Sequence, residues 1–185
     1  MPSSSPPDQD DRRVVRTTHL EIAADTPLRR PTRPRPRYAL QHATGITPEY
    51  ARFLFVAVGE AWHWQSRLPW SRSRWHQHLA QPEVEVWVAY RDGAPAGYFE
   101  LDFDGDGAVE VAFFGLMPGE IGHGMGGHLL ADAVERARHI GTGRVWVHTC
   151  DLDHPYALAN YQARGFRIFK TEEAEETVVE RPPWE

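Results

Sequence analysis

The sequence predicts an α+β fold, and two observations carry that prediction. Three stretches joined by hairpin-type turns, residues 83–90, 96–103 and 108–116, read as consecutive antiparallel strands. They lead through a glycine-rich turn into a helix-like run from Leu129 and then an apolar strand at 144–150, a β-α-β unit. At 185 residues, with 41% hydrophobic and 25% charged residues, the chain suits one domain with its own core. That domain is expected over 13–175, with a Pro/Ser/Asp-rich disordered tail at 1–12 and a C-terminal tail at 176–185. The net charge of −6 gives no support for a nucleic-acid or membrane surface. The single cysteine, Cys150, excludes an internal disulfide and suits a reducing cytosol. With no apolar leader and no run of membrane-spanning length, a cytoplasmic protein is expected.

The elements follow in order. Val14, Val15, Thr17, Thr18, Leu20 and Ile22 mark a first strand over 13–22. Residues 29–37 are basic and Pro-rich and read as a solvated extended connector, the alternative being contact with an anionic cofactor or acidic partner. A short strand is expected over 38–43. Thr47-Pro48-Glu49 starts a helix, with Thr as N-cap and Pro at the first helical position. Tyr50, Phe53, Leu54, Ala57 and Val58 are spaced as its core-facing stripe. An aromatic segment from Trp62 to Trp70 follows, and Ser71 caps a second helix carrying Trp75, His76, His78 and Leu79. Asp92-Gly93 is a hairpin turn. In the strand 96–103, Phe99, Leu101 and Phe103 form one face and Tyr98, Glu100 and Asp102 a polar one. The 102–107 stretch opens like a calcium loop, but Phe113 stands where the closing glutamate belongs, so a turn is expected. The helix ends at Gly141. A last helix over 156–164, closed by Gly165, and a final strand over 166–169 precede an acidic surface run, Glu172 to Glu176.

The turn at Gly122, Gly124, Gly126 and Gly127 carries the chemistry. A strand leading through glycines into a helix leaves the first helical N–H groups unpaired, beside the positive end of the helix dipole. Such a place suits a phosphate or pyrophosphate. A Walker A loop is excluded, because no Gly-Lys-Ser/Thr is present. A dinucleotide fingerprint fits literally at Gly122, Gly124 and Gly127, with Asp151 ending the next strand. Against it stand the five residues between strand and first glycine, and the antiparallel strands upstream. No metal is expected: His63, His76 and His78 lack the spacing and companions of a site.

The string Leu116-Met117-Pro118-x-x-Ile121-Gly122-x-Gly124-x-Gly126-Gly127-x-Leu129-Leu130 resembles the acetyl-CoA-binding motif of the Gcn5-related N-acetyltransferases. Tyr161-Gln162-Ala163-Arg164-Gly165-Phe166 resembles the family's second signature, and a strand separates the two. Ile121 stands where the family commonly has Arg or Gln, and His154 where it has Asn. The resemblance implies a central mixed, mostly antiparallel sheet flanked by helices. It implies acetyl-CoA as co-substrate, held by Phe114, Gly115, Leu116, Ile121, Gly122, His123, Gly124, Met125, Gly126, Gly127 and Asn160. The sheet is expected to splay at Gly115, and the first helical pair to wall an aromatic acceptor pocket.

Acetyl transfer from a thioester to an amine needs a base, an aligned acceptor and a proton for the departing sulfur. Resemblance points to a glutamate on the 108–116 strand as base. Glu110 is the first candidate and Glu100 the second, with Tyr161 as the acid. His148 and His154 are candidates for proton shuttling, a structural role being the commoner one. Cys150 has no evident base partner and is not expected to act as a nucleophile. The expected function is therefore transfer of an acetyl group to a small-molecule or peptide amine in a ternary complex. A non-catalytic acyl-CoA-binding module and a nucleotide-dependent oxidoreductase are the alternatives. No nucleic-acid or membrane partner is expected, and a homodimer is left open.

Overall fold

The structure is a computed structural model that describes residues 12–178. The tail expected at 1–12 lies outside the described residues except for Arg12, as does the C-terminal tail beyond Val178. Seven strands form one sheet: β1 (Arg12–Ile22), β2 (Ala39–His42), β3 (Val84–Arg91), β4 (Ala94–Phe103), β5 (Val109–Leu116), β6 (Val145–Cys150) and β7 (Arg167–Thr177), in the order β2-β3-β4-β5-β6-β1-β7. Only β5 and β6 pair in parallel; every other neighbour is antiparallel. This arrangement excludes the doubly wound sheet of a dinucleotide-binding fold. The hairpin β3–β4 turns at Asp92 and Gly93, both at positive φ (51° and 85°), the geometry an Asp-Gly turn favours.

Helices α1 (Pro48–Gly59) and α2 (Arg72–Leu79) cover one face of the sheet. Thr47 and Ser71 cap them, each hydroxyl accepting from the N–H three residues on. The buried stripe of α1 is Ala51, Leu54, Phe55 and Val58. Phe53 is instead half exposed and stacks on Tyr50, a correction to the expected stripe. Helical spacing alone fixed a face about one position away from the one that meets the sheet. Helices α3 (Met125–Ile140) and α4 (Ala157–Arg164) cover the other face, where Leu129, Leu130, Ala133, Val134 and Tyr161 pack on Phe99, Leu101, Val109 and Val147.

With helices on both faces, the expected polar face of β4 does not exist: Tyr98 and Glu100 are buried beneath α1 and α2. The other expectation corrected here is the end of the chain. Acidic β7 runs to Thr177 and pairs along the whole of basic β1, with Arg16 on Glu173 and His19 on Glu172. Cross-strand charge pairing, rather than apolar alternation, makes this strand. The calcium-like loop is a turn as expected, since one oxygen of Asp104 accepts from the N–H groups of Asp106 and Ala108.

The splay of the sheet is real, but it starts well before Gly115. β5 and β6 pair only at Val109–Val145 and Glu110–Trp146, and part beyond them. A bulge at Ala112 re-aims β5 at the same point, between the partners of Glu100 and Leu101. Gly115 serves a different purpose. A Cβ there would lie 2.3 Å from Cγ1 of Val58, so glycine is what lets α1 sit this close to β5. Gly115→Ala is expected to destabilise the fold by about 1–3 kcal/mol through overpacking, read as a lowered thermal midpoint.

Candidate active site

Where β5 and β6 part, a cleft of about 1130 Å³ opens between them. Its floor is the edge of β5 from Val111 to Leu116, which no strand pairs on the β6 side. One end is the glycine loop. Gly122 and Gly124 sit at φ 86° and 79°, a conformation that costs other residues but not glycine. Gly124 is the N-cap of α3, no side chain caps that helix, and no acid sits in its first turn. The helix therefore presents free N–H groups and uncompensated positive dipole to the cleft.

A guanidinium group joins this end. A Cβ at Gly127 would stand 2.3 Å from Nη1 of Arg164, so the Arg164 guanidinium lies against the loop. Its Nε is buried and has no acceptor among the described residues, and burial lowers its pKa. Arg33 also lines the cleft, carried by the Arg/Pro-rich connector. That connector is exposed and extended, as expected from composition, but it is also tied to α3. Arg35 grips Asp132 of α3 with two bonds of 2.7 Å, Tyr38 donates to the same carboxylate, and Arg30 pairs with Glu135. Pinned to α3, the connector forms a wall of the cleft through Pro31, Thr32 and Arg33.

In the middle of the cleft, His148 projects from β6 on the face away from α3. Its Nδ1 is 3.0 Å from Oε1 of Glu110, which leaves Nε2 free. The bond to Glu110 raises the His148 pKa, opposed by burial and helped by the charges of Glu110, Asp153 and Glu172. Tyr161 is buried on the opposite wall, edge-on to Phe114, and its pKa is driven well up by burial and the charge of Asp153. Cys150 also lines the cleft, its thiol pushed up to about 11 by burial, so it is a poor nucleophile at neutral pH. The far end is aromatic: Trp64 lies over Gly115 and donates to Asp153, and Trp62 meets His154 edge-on at 4.8 Å.

The expected site residues sort as follows. Phe114, Gly115, Leu116, Ile121, Gly122, Gly124, Gly126, Gly127, Asn160 and Tyr161 all line the cleft. The Nδ2 atom of Asn160 is 3.9 Å from where a Cβ on Gly126 would stand. His123 is exposed and outside the lining, and the Met125 side chain is wholly in the core, so of Met125 only the backbone can serve a ligand. Glu110 reaches the cleft only through His148. Glu100 does not reach it: Arg67 bridges both its oxygens at 2.6 and 2.8 Å and His78 adds a third bond at 2.8 Å. Its role as second candidate base is corrected to that of a buried structural anion. Arg164 and Asp153 were not singled out by sequence reasoning, and Arg33 entered only through the alternative reading of residues 29–37 as a contact for an anionic cofactor. For Asp153 the available signal was the acid-histidine knot Asp151-Leu152-Asp153-His154 directly after β6.

Residues 46–166 match the profile of the Acetyltransferase (GNAT) family, well over half of the chain. The chain belongs to that family, an acyltransferase family, and the seven-stranded mixed sheet with four helices is its fold. Solved structures agree. A GCN5-related N-acetyltransferase from Kribbella flavida is 19% identical at a TM-score of 0.61, with 86% of this chain and 57% of that one aligned. One from Sphaerobacter thermophilus is 20% identical at 0.61, covering 89% and 53%. An IAA acetyltransferase from Bacillus cereus is 23% identical at 0.55, covering 72% and 79%. The chain spans 53–64% of the length of the first three solved structures it matches. No curated protein matches the sequence. Among the described residues, no helix is long and apolar enough to cross a membrane, and no group of His, Cys, Asp and Glu is placed to hold a metal ion.

Proposed function

We propose that the protein transfers an acetyl group from acetyl-CoA to a primary amine, with His148 as general base. The observation that carries this reading is the His148–Glu110 pair, standing where β5 and β6 part, in the same cleft as the uncapped N-terminus of α3. The residues present suit the co-substrate. The loop N–H groups, Arg33 and Arg164 supply positive charge for phosphates. The unpaired edge of β5 and the amide of Asn160 suit an extended arm rich in amides. When bound, the co-substrate supplies an activated acyl group on sulfur.

The chain's own groups would then act as follows. Nε2 of His148 takes the proton that an ammonium must lose before its lone pair can attack the carbonyl carbon. Glu110, on Nδ1, fixes the tautomer and stabilises the imidazolium that forms. Tyr161, kept protonated by its burial, gives its proton to the sulfur as the C–S bond breaks, and the second proton lost by nitrogen restores it. The acyl group passes directly, because the thiol of Cys150 is held in its unreactive form.

Thermal unfolding with acetyl-CoA, CoA and NAD(H) side by side tests the cofactor. Acetyl-CoA at 100 times its Kd should add about 2.7 kcal/mol of stability. Gly124→Glu, which places a carboxylate in the anion site, should abolish that shift. No shift with either CoA species would remove the reading, and a shift with NAD(H) alone would replace it.

A further inference from the structure

The cleft holds charge of both signs. The Arg164 guanidinium lies against the glycine loop at the start of α3, and the carboxylate of Asp153 lines the same cleft among Trp62, Trp64, His154 and Tyr156. That carboxylate accepts from Nε1 of Trp64 at 3.3 Å, Oγ1 of Thr149 at 2.7 Å and the N–H of Cys150 at 3.1 Å. All three donors are neutral. They orient the charge without cancelling it, and it adds to the upward pKa shifts that the Glu110 bond gives His148 and that burial gives Cys150 and Tyr161. A carboxylate so held favours a cation in the adjoining space.

The rings beside it are arranged to cover a flat body. Trp62 meets His154 at 65°, and His154 is tilted 44° to Tyr156 at 5.4 Å. Tyr156 is 74% exposed at the rim, a large aromatic side chain left without cover. Between Trp62 and Trp64, His63 adopts φ 54°, a left-handed backbone that a non-glycine residue holds only at a cost. The strained turn sends both tryptophans into one cleft. Aromatic faces attract cations and stack on planar groups alike, and neither property serves a phosphate or a sugar hydroxyl as well.

Resting on the acetyl-transfer reading above, we infer that the acceptor is a small primary ammonium with an aromatic body, its charge beside Asp153 and its ring against Trp62 and Tyr156. Glu176 lines the same cleft from the end of β7, adding negative charge at that end. A long polyamine would spread several charges over the aromatic wall and leave most of them unmatched.

Calorimetric binding in the presence of CoA tests the inference, with 2-phenylethylamine, its neutral analogue 2-phenylethanol, and spermidine as probes. The amine should bind at least tenfold more tightly than either of the others. Asp153→Asn should bring the amine down to the level of the alcohol. Trp62→Ala, at a residue that is not in the core, should weaken amine and alcohol together by about the same factor. Equal binding of amine and alcohol, preference for spermidine, or indifference to Trp62→Ala would each overturn it. Thiol release with acetyl-CoA, measured on the same amines, separates the two proposals. Tight, charge-selective binding without turnover removes the catalytic reading and leaves an aromatic-amine binding site; turnover without selectivity keeps acetyl transfer and removes the inferred acceptor.

Discussion

Replacing His148 with asparagine should lower kcat for acetyl transfer by about 10²–10⁴-fold, the usual contribution of a positioned general base. The KM for acetyl-CoA should stay within about twofold, since His148 does not touch the glycine loop. The pH profile provides a second reading of the same group. The folded pKa of His148 lies above its ordinary value of 6.5, chiefly because of the bond to Glu110. The neutral imidazole needed as base therefore accumulates only as pH climbs through that raised value, and the acid limb of kcat should lie above pH 6.5. Glu110→Gln removes both the charge-assisted bond and the charge, so the limb should move down. The linkage to stability has the opposite sense: the pair's contribution is complete below pH 6.5 and is lost as pH rises through the folded pKa. Full activity in His148→Asn would return the role of base to Glu110 acting through water.

The second large effect concerns Glu100, which is buried with both oxygens committed to Arg67 and His78. Burial drives its pKa up, but the bonds from His78 and Arg67 and the charge of Arg67 outweigh burial and leave it below the ordinary carboxylate value. Glu100→Gln leaves Arg67 charged and poorly matched in the interior, at a cost of about 3–5 kcal/mol. For a domain of this size each kcal/mol moves the thermal midpoint by about 2–4 °C, so a fall of about 10 °C is expected. The double change Arg67→Met with Glu100→Leu should recover much of the loss, because it removes both buried charges. Arg67 would still leave a gap between Trp70 and Phe113, over whose rings its guanidinium lies at 4.6 and 4.4 Å. The contribution of Glu100 is present above its unfolded pKa and is lost as pH falls through the lower folded one, so this cluster weakens in acid. A midpoint unchanged in Glu100→Gln would show that the cluster contributes nothing net.

What the sequence made legible was whatever depended on neighbours along the chain. The caps at Thr47 and Ser71, the Asp92-Gly93 turn and the loop from Gly122 to Gly127 are local arrangements, and each stands where its residues placed it. Alternation in β4 likewise identified a strand, but it could not tell that α1 and α2 would close over Glu100. Arg67, the partner that makes Glu100 tolerable there, comes 33 residues earlier and carries no mark of its own. The same limit hid the pairing of His148, already a candidate for moving protons, with Glu110. Glu110 and His148 meet only because β5 and β6 lie side by side in parallel, a relation set by the crossover through α3. The connector at 29–37 is exposed as expected, but its attachment to α3 was hidden for a similar reason. Arg30 and Arg35 are solvated arginines that also reach Glu135 and Asp132 of α3, far off in sequence.

The two rungs that join β5 to β6 have a mechanical meaning. The sheet is in effect two panels, β2-β3-β4-β5 and β6-β1-β7, stitched at Val109–Val145 and Glu110–Trp146 and backed by α3. On the proposed reading, an extended molecule laid along the free edge of β5 would supply further rungs and become a strand-like member of the frame that holds it. Such a guest would brace the join between the panels, and the spacing between His148 on one panel and the floor of the cleft on the other would then be set by the guest as much as by the host.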